Sequence, residues 1–146
     1  MEVTAILSRL GLSSKGSERL EITMVQGVRY GVVKKPRIKD HLFALLLLEW
    51  GEEEFNEEYV EMKEWDWTVE TLSISDIKLW KPLMKDPAFI YGLKQRVEAQ
   101  KNRILQGEII EPIVVRGRDK VIYDGYARLH ALKHLGKREV LAYVGK

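Results

Sequence analysis

The 146-residue chain is long enough for one domain, or for one domain with an extension, and its 45% hydrophobic content favours a packed core. The absence of cysteine excludes a disulfide framework, a thiolate zinc site and a cysteine nucleophile. No secretory signal is visible at the start, and the longest apolar run, Leu42 to Leu48, is far shorter than the roughly 20 residues of a transmembrane helix. We therefore expect a soluble, cytoplasmic protein.

The net charge is only +2, but the charges are unevenly distributed. Residues 49–70 are strongly acidic, and the chain from Lys94 onward is basic. This asymmetry indicates either an anionic partner for the second half or two oppositely charged solvated faces. The abundance of Glu, Lys and Arg is also typical of a thermophile-like composition.

The first half of the chain predicts a hairpin followed by helices. Residues 20–33 alternate apolar and polar side chains on either side of a turn at Gln26, and Pro36 ends the return strand. A helix apolar nearly all round is expected from Ile38 to Trp50, and the glutamates after it continue it or begin another helix. Residues 1–70 predict an N-terminal extension that serves as an interaction module or a homodimer contact.

Residues 64–70 alternate strictly between apolar and polar side chains, and the second half begins with a predicted strand at residues 71–80. The prolines at positions 82 and 87 are expected to keep the segment between them from being helical. A helix is expected from Ile90 to about Gln106, where Gly107 is a stop signal.

The remaining residues predict a strand, a tight turn, a second strand, a helix and a last strand. The first strand opens at Pro112, and the turn is expected at Gly117 to Asp119. The helix is expected from Gly125 to Leu135, and the last strand lies in residues 138–144.

The Asp-Gly junction before that helix has the chemistry of an anion site. The first N–H groups of a helix have no partner inside it and carry the positive end of its dipole. Gly125 lets the backbone approach a ligand closely, and Arg128 in the first turn can contact a phosphate through two nitrogens. Asp124 could cap the helix, or hold a divalent ion or a ligand hydroxyl. The alternative is an ordinary strand-to-helix junction with a solvated arginine.

Several motifs in order resemble the ParB/sulfiredoxin-like superfamily. They are ISDIKLWKP, QRVEAQKNRILQG, EPIVV, VIYDGYARLHALKHLG and EVLAYV. Of these, VIYDGYARLHALKHLG matches the family pattern D-G-x-x-R-x-x-A followed by L-G. The resemblance implies an α+β fold with a mixed sheet and helices over residues 71–146. Residues 1–70 lie outside the resemblance, and their hairpin and helix are predicted to form an N-terminal extension. It also implies a seat for the phosphates of a nucleotide at Gly125, Tyr126, Ala127 and Arg128.

The departures from the family pattern limit the activity. Sulfiredoxin chemistry is excluded because the required cysteine is missing. The small-molecule kinases carry D-G-H-H-R, whereas this chain has D-G-Y-A-R, and Asp86 is the nearest substitute for their upstream acidic residue. Partition proteins carry G-E-R-R, a second nucleotide motif and a helix-turn-helix domain, so this chain is not expected to be a complete partition protein.

We therefore predict a ParB-like domain that binds a nucleotide or a nucleic-acid phosphate, with a role in DNA binding or partition-related processes. The expected cofactor is ATP, ADP or CTP with Mg²⁺. The alternative is a nucleotide-dependent enzyme, either a ParB-like nuclease, a nucleotide hydrolase or a small-molecule phosphotransferase, with Asp124 as the candidate catalytic residue. Both readings fail if Arg128 is held in an internal ion pair with no room beside it.

Two further groups of residues have weaker signals. The cations of the predicted helix 90–106 could follow a nucleic-acid backbone, or could be its solvated face; they are Lys94, Arg96, Lys101 and Arg103. His130 and His134 have a spacing that allows metal binding but lack an acidic neighbour, so no metal site is expected.

Overall fold

The computed structural model describes residues 20–33 and 37–146. The predicted end of the return strand at Pro36 and the first nineteen residues of the predicted extension lie outside the described residues. The described strands are β1 (Leu20–Val25), β2 (Val28–Val33), β3 (Trp67–Ser73), β4 (Ile113–Arg116), β5 (Val121–Asp124) and β6 (Glu139–Gly145). The described helices are α1 (Ile38–Trp50), α2 (Glu52–Met62), α3 (Lys81–Met84), α4 (Pro87–Leu105) and α5 (Tyr126–His134).

Strands β1 and β2 form the predicted antiparallel hairpin. Its two-residue turn places Gln26 and Gly27 at φ values of 50° and 80°, and positive φ at both central residues is the geometry that matches the twist of the flanking strands. The hairpin is joined to the rest of the chain by a bridge between Tyr30 and Ile110, and the Gly31 amide donates to the Ile110 carbonyl at 2.9 Å. The predicted hairpin is therefore confirmed.

Helix α1 has the predicted bounds and is largely buried, as its apolar composition indicates. Gly51, at a φ of 85°, ends α1 and precedes α2, so the glutamates that follow begin a second helix. Phe43 of α1 lies edge-on to Phe55 and Tyr59 of α2, which joins the two helices through aromatic contacts.

The other four strands form one mixed sheet in the order β3-β6-β4-β5. Strand β6 pairs antiparallel with β3 and parallel with β4, and β4 pairs antiparallel with β5. The fold is thus α+β, with the mixed sheet, the helices and the N-terminal hairpin that the sequence predicted. The predicted division between residues 70 and 71 falls inside β3, which pairs with β6 along its whole length.

Two predictions for residues 64–89 are wrong. The strand expected at 71–80 begins earlier, at Trp67 inside the alternating segment 64–70, and ends at Ser73 in a short 3₁₀ turn. The prolines begin helices instead of preventing them, because proline lacks only an N–H that the first helical turn leaves unpaired. Pro82 lies in the first turn of α3, and Pro87 opens α4 after Asp86, whose carboxylate accepts from the Ala88 amide at 3.0 Å.

The core lies between the sheet and the helices. Its fully buried side chains come from the hairpin, α1, α2, α5 and the central strands; the largest are Tyr30, Tyr143, Leu42, Leu46, Met62, Ile110, Ile113, Ile122, Leu129 and Leu132. Helix α4 packs on α5 and contributes Leu93 and Val97. Within the described residues, every helix is too short or too polar to cross a membrane.

Candidate phosphate site at the head of helix α5

The junction between β5 and α5 depends on the glycine of the Asp-Gly pair. Gly125 has a φ of 104°, which side chains rarely adopt. A Cβ at this position would lie 2.6 Å from Ile113 Cγ2 and 3.0 Å from Arg128 Nη2. The space that the glycine leaves is therefore filled by the protein itself, so the requirement for glycine has a structural cause that is independent of any ligand.

The head of α5 retains the unpaired amides that the sequence predicted. Gly125 precedes the helix without any side-chain cap, and its carbonyl accepts the first helical bond, from Leu129, at 2.9 Å. Among residues 20–33 and 37–146, no hydrogen bond is made by the amides of Tyr126, Ala127 and Arg128. These three donors and the positive end of the helix dipole can stabilise an oxyanion.

Arg128 is not a free guanidinium. Its Nη2 lies 3.2 Å from Asp124 Oδ2 and 3.4 Å from the Pro112 carbonyl, and its Nη1 lies 3.7 Å from Glu111 Oε2. The side chain is only 13% exposed, and its Nε is buried with no acceptor among the described residues. Arg128 is thus held in the kind of internal ion pair that was named above as the failure of both readings, and a phosphate can contact its guanidinium only if one of the two carboxylates moves away.

Asp124 pairs with Arg128 and does not cap the helix. A third carboxylate, that of Glu49, interacts electrostatically with this pair. Desolvation by burial raises the pKa of Glu49, and the negative charge of Asp124 raises it further. Arg128, Glu111 and Arg96 also act on Glu49. The corner therefore carries three carboxylates against two guanidinium groups, which is less positive than the sequence indicated.

Tyr126 faces the interior rather than the mouth of the site. It is 6% exposed, and its hydroxyl donates to the Ile122 carbonyl at 3.3 Å and accepts from the Trp80 amide at 3.2 Å. Burial raises the pKa of this hydroxyl. Phe89 of α4 lies edge-on to the Tyr126 ring at 5.3 Å, so the ring joins α5 to the α3–α4 segment and is not available to stack on a base.

The four cations predicted to follow a nucleic-acid backbone all lie on α4, but most have partners within the chain. Lys94 is exposed, and Arg96 lies over the Phe89 ring. Lys101 forms an ion pair with Glu98. Arg103 forms an ion pair with Glu108 and donates to the Ile109 carbonyl. The cations therefore do not form one free row along the helix.

No cluster of three or more metal-ligating side chains occurs in the part of the chain that the structure describes. Burial lowers the pKa of His130, with further lowering by Lys133 and His134. A neutral, partly buried imidazole agrees with a packing role for His130 on the inner side of α5.

The sequence reasoning overlooked Glu111 as a member of this site. Glu111 precedes β4, and its carboxylate lies beside Arg128 because Ile113 of β4 packs against Gly125. The EPIVV motif contains this residue, but Arg128 lies 17 positions further along the chain, so no local signal in the sequence joins the two.

The element order of residues 67–145 is strand, helix, helix, strand, strand, helix, strand. Two solved structures, both described as Pnob8-like ParB N-domains, are similar to this chain. One is 24% identical, with a TM-score of 0.44, over 57% of this chain and 31% of its own. The other is 31% identical, with a TM-score of 0.43, over 58% of this chain and 30% of its own.

This chain therefore spans less than a third of the length of either similar structure. No protein-family model and no curated protein matches it.

Proposed function

We propose that this ParB-like domain binds the phosphates of a magnesium nucleotide at the head of α5. The observation that carries the proposal is the set of unpaired amides of Tyr126, Ala127 and Arg128 beside a guanidinium that is already held in place. Three such donors at a helix N-terminus favour a phosphate group, because the helix dipole and the N–H groups act in the same direction.

The carboxylates of Asp124 and Glu111 supply the reason for magnesium. A bare phosphate would be repelled by these two groups, which now neutralise Arg128. Mg²⁺ is usually held by one or two carboxylates together with the substrate phosphates and several waters. A magnesium nucleotide can therefore exchange partners at this corner: the cation takes a carboxylate, and the phosphate takes the guanidinium and the amides.

In this exchange Arg128 changes from a carboxylate partner to a phosphate partner without leaving its position. Its Nη atoms now lie 3.2–3.7 Å from carboxylate oxygens of Asp124 and Glu111, and these carboxylates move away to admit the phosphate. Arg128 would act as the phosphate clamp, and Asp124 and Glu111 would hold the magnesium ion that neutralises the phosphates. A role in DNA-partition-related processes stays a prediction that depends on this binding.

Titration calorimetry with ATP, ADP and CTP, each with and without Mg²⁺, tests the proposal. We expect at least one nucleotide to bind with Mg²⁺ and to bind much more weakly without it. Arg128→Ala should weaken binding roughly 10- to 100-fold, as the loss of a charge-assisted pair of hydrogen bonds implies.

The matched control is Arg118→Ala, because Arg118 is also paired with a glutamate, Glu61, but belongs to the turn between β4 and β5. This variant should bind like the parent. The proposal is wrong if no nucleotide binds in the presence of Mg²⁺, or if Arg128→Ala binds as tightly as the parent does.

A further inference from the structure

Strand β1 forms an open edge of the hairpin. Among the described residues it pairs only with β2, so its other edge has no neighbouring strand there. On β2, the Gly31 amide and the Arg29 carbonyl hydrogen-bond to Ile110, on the far side of the hairpin. Gly31 faces Ile22 on β1, and Arg29 faces Met24. Because facing residues of an antiparallel pair direct their backbone groups either toward each other or apart, the N–H and C=O groups of Ile22 and Met24 point away from β2.

The side chains on one face of this edge are apolar and exposed. Leu20, Ile22 and Met24 occupy alternate positions of β1 and therefore share a face. Ile22 is 57% exposed and Met24 is 61% exposed. Ile109 lies on the same face, because a Cβ on Gly31 would be 3.0 Å from Ile109 Cγ2 and 3.3 Å from Leu20 Cδ1. We call Leu20, Ile22, Met24 and Ile109 the β1 edge patch.

The hairpin that carries this patch is fixed to the rest of the domain. At its turn, the Gln26 side-chain oxygen accepts from the Arg138 and Glu139 amides at 2.8 and 3.0 Å. At its open end, the Val33 amide donates to the Tyr143 hydroxyl at 2.9 Å. The edge is therefore held in an extended conformation before a partner binds, which reduces the entropy lost on association.

Strand β1 also lacks the features by which proteins protect a free edge. It contains no lysine and no proline, its pairing with β2 has no bulge, and Glu21 is its single charged residue. An extended apolar edge with outward-pointing amides favours the addition of another strand.

We propose that the β1 edge pairs antiparallel with the same edge of a second copy of this chain, about a twofold axis at Ile22. In this register Ile22 faces the partner's Ile22, and Leu20 faces the partner's Met24. By the alternation along β1, all three residues direct their backbone groups outward, so each facing pair exchanges two hydrogen bonds. The homodimer contact predicted for residues 1–70 thereby has a definite position.

The side chains of β1 are self-complementary in this register. On the face of the patch, apolar side chains meet apolar side chains along the whole strand. On the other face, Glu21 meets the partner's Thr23, so no two carboxylates are opposed. An extended peptide of another protein would gain the same backbone hydrogen bonds, but the symmetric order of side chains favours a second copy.

The chain's own preceding residues are the other occupant within reach of the edge. Residues 13–19, next to β1 along the chain, contain no apolar side chain. Folded back on β1 in a tight hairpin, such a sequence would leave Ile22 and Met24 in water, whereas a second copy of β1 covers both.

Sedimentation velocity of the full chain over about 1–500 µM tests the inference, because an interface of this small size is expected to associate in the micromolar range. Ile22→Lys should weaken the dimer about tenfold or more, since two ammonium groups would face each other across the axis. The matched control is Leu105→Lys, because Leu105 is 69% exposed at the end of α4. Val60→Lys, on the acidic helix α2, is the second control. Both control variants should dimerise like the parent.

Cysteine cross-linking tests the register, and the chain has no native cysteine to interfere. Ile22→Cys places two thiols in facing positions with Cα atoms about 5.5 Å apart, within the range of a disulfide. Met24→Cys, at a position of similar exposure, places its Cα atoms four residues apart along the strands, about 14 Å. With diamide as the oxidant, Ile22→Cys should form the covalent dimer at least about tenfold faster than Met24→Cys. Urea unfolding of each variant establishes that the native fold persists.

Four results would overturn the inference. The first is a parent that stays monomeric at every concentration, which is also the result expected if residues 1–19 cover the edge. The second is an Ile22→Lys variant that dimerises as tightly as the parent. The third is a dimer that Val60→Lys abolishes, which would assign the contact to α2, and the fourth is equal cross-linking of the two cysteine variants. Arg128→Ala should sediment like the parent, so a failure of the phosphate site leaves this inference standing.

Discussion

Replacing Gly125 by alanine tests how the head of α5 is built. The positive φ of 104° costs an alanine about 1–2 kcal/mol, because Cβ approaches the neighbouring carbonyl in left-handed conformations. The new methyl group would also lie 2.6 Å from Ile113 Cγ2, and overpacking of this kind costs about 1–3 kcal/mol. Together the two effects predict a loss of about 2–5 kcal/mol, a large part of the roughly 5–15 kcal/mol that stabilises a domain.

Gly136→Ala provides the matched control at the other end of the same helix. Gly136 has a φ of 75°, but a Cβ there would meet no atom within 4 Å. Its replacement should therefore cost only the backbone part, about 1–2 kcal/mol. Urea unfolding of both variants measures the two losses, and the difference between them gives the cost of the contacts with Ile113 and Arg128.

The reasoning is refuted if Gly125→Ala loses no more stability than Gly136→Ala. That outcome would mean that Ile113 moves aside at little cost and that the junction is not closely packed. A changed dependence of the unfolding free energy on urea would show instead that the native or denatured state itself had changed in compactness.

Two further predictions concern stability. Tyr143→Phe removes the hydroxyl that accepts from the Val33 amide at 2.9 Å, so the free energy of unfolding measured by heating should fall by about 1–2 kcal/mol. The control Tyr91→Phe, on the surface, should change it little. Equal losses in the two variants would contradict this prediction. Burial lowers the pKa of the His41 imidazole in the folded protein, so as the pH falls this imidazole is protonated in the unfolded chain before it is protonated in the folded one. The free energy of unfolding should therefore decrease as the pH drops below about 6.5. His41→Gln should reduce that pH dependence in urea unfolding, although part remains because burial also lowers the pKa of His130; an unchanged profile would show that His41 does not contribute.

The elements that the sequence predicted well are those whose signals are local. The hairpin followed from alternating apolar residues and a Gln26-Gly27 turn, and α1 followed from a continuous apolar run. The prolines at 82 and 87 were misinterpreted because proline has two local meanings. It interrupts a helix from the inside but favours its first turn, and at Pro87 the cap at Asp86 decides between them.

The sequence predicted the backbone of the candidate site, with its turn, helix start and free amides, but it did not predict the ion pairs of Arg128. Gly125 and the free amides of α5 follow from the order of strand, turn and helix. The ion pair with Glu111 does not, because Glu111 comes from the segment before β4 and is placed by the pairing of strands. A charge at long sequence separation is fixed by tertiary structure, for which the motif alone has no signal.

The position of β6 has a consequence for how the molecule acquires its shape. This strand is the last of the sheet along the chain, yet it lies between β3 and β4 and pairs with both. During synthesis, β3 and the β4–β5 pair have no common neighbour until residues 139–145 emerge from the ribosome. The sheet therefore closes in a late step, and contacts so distant along the chain make that step slow compared with formation of the helices.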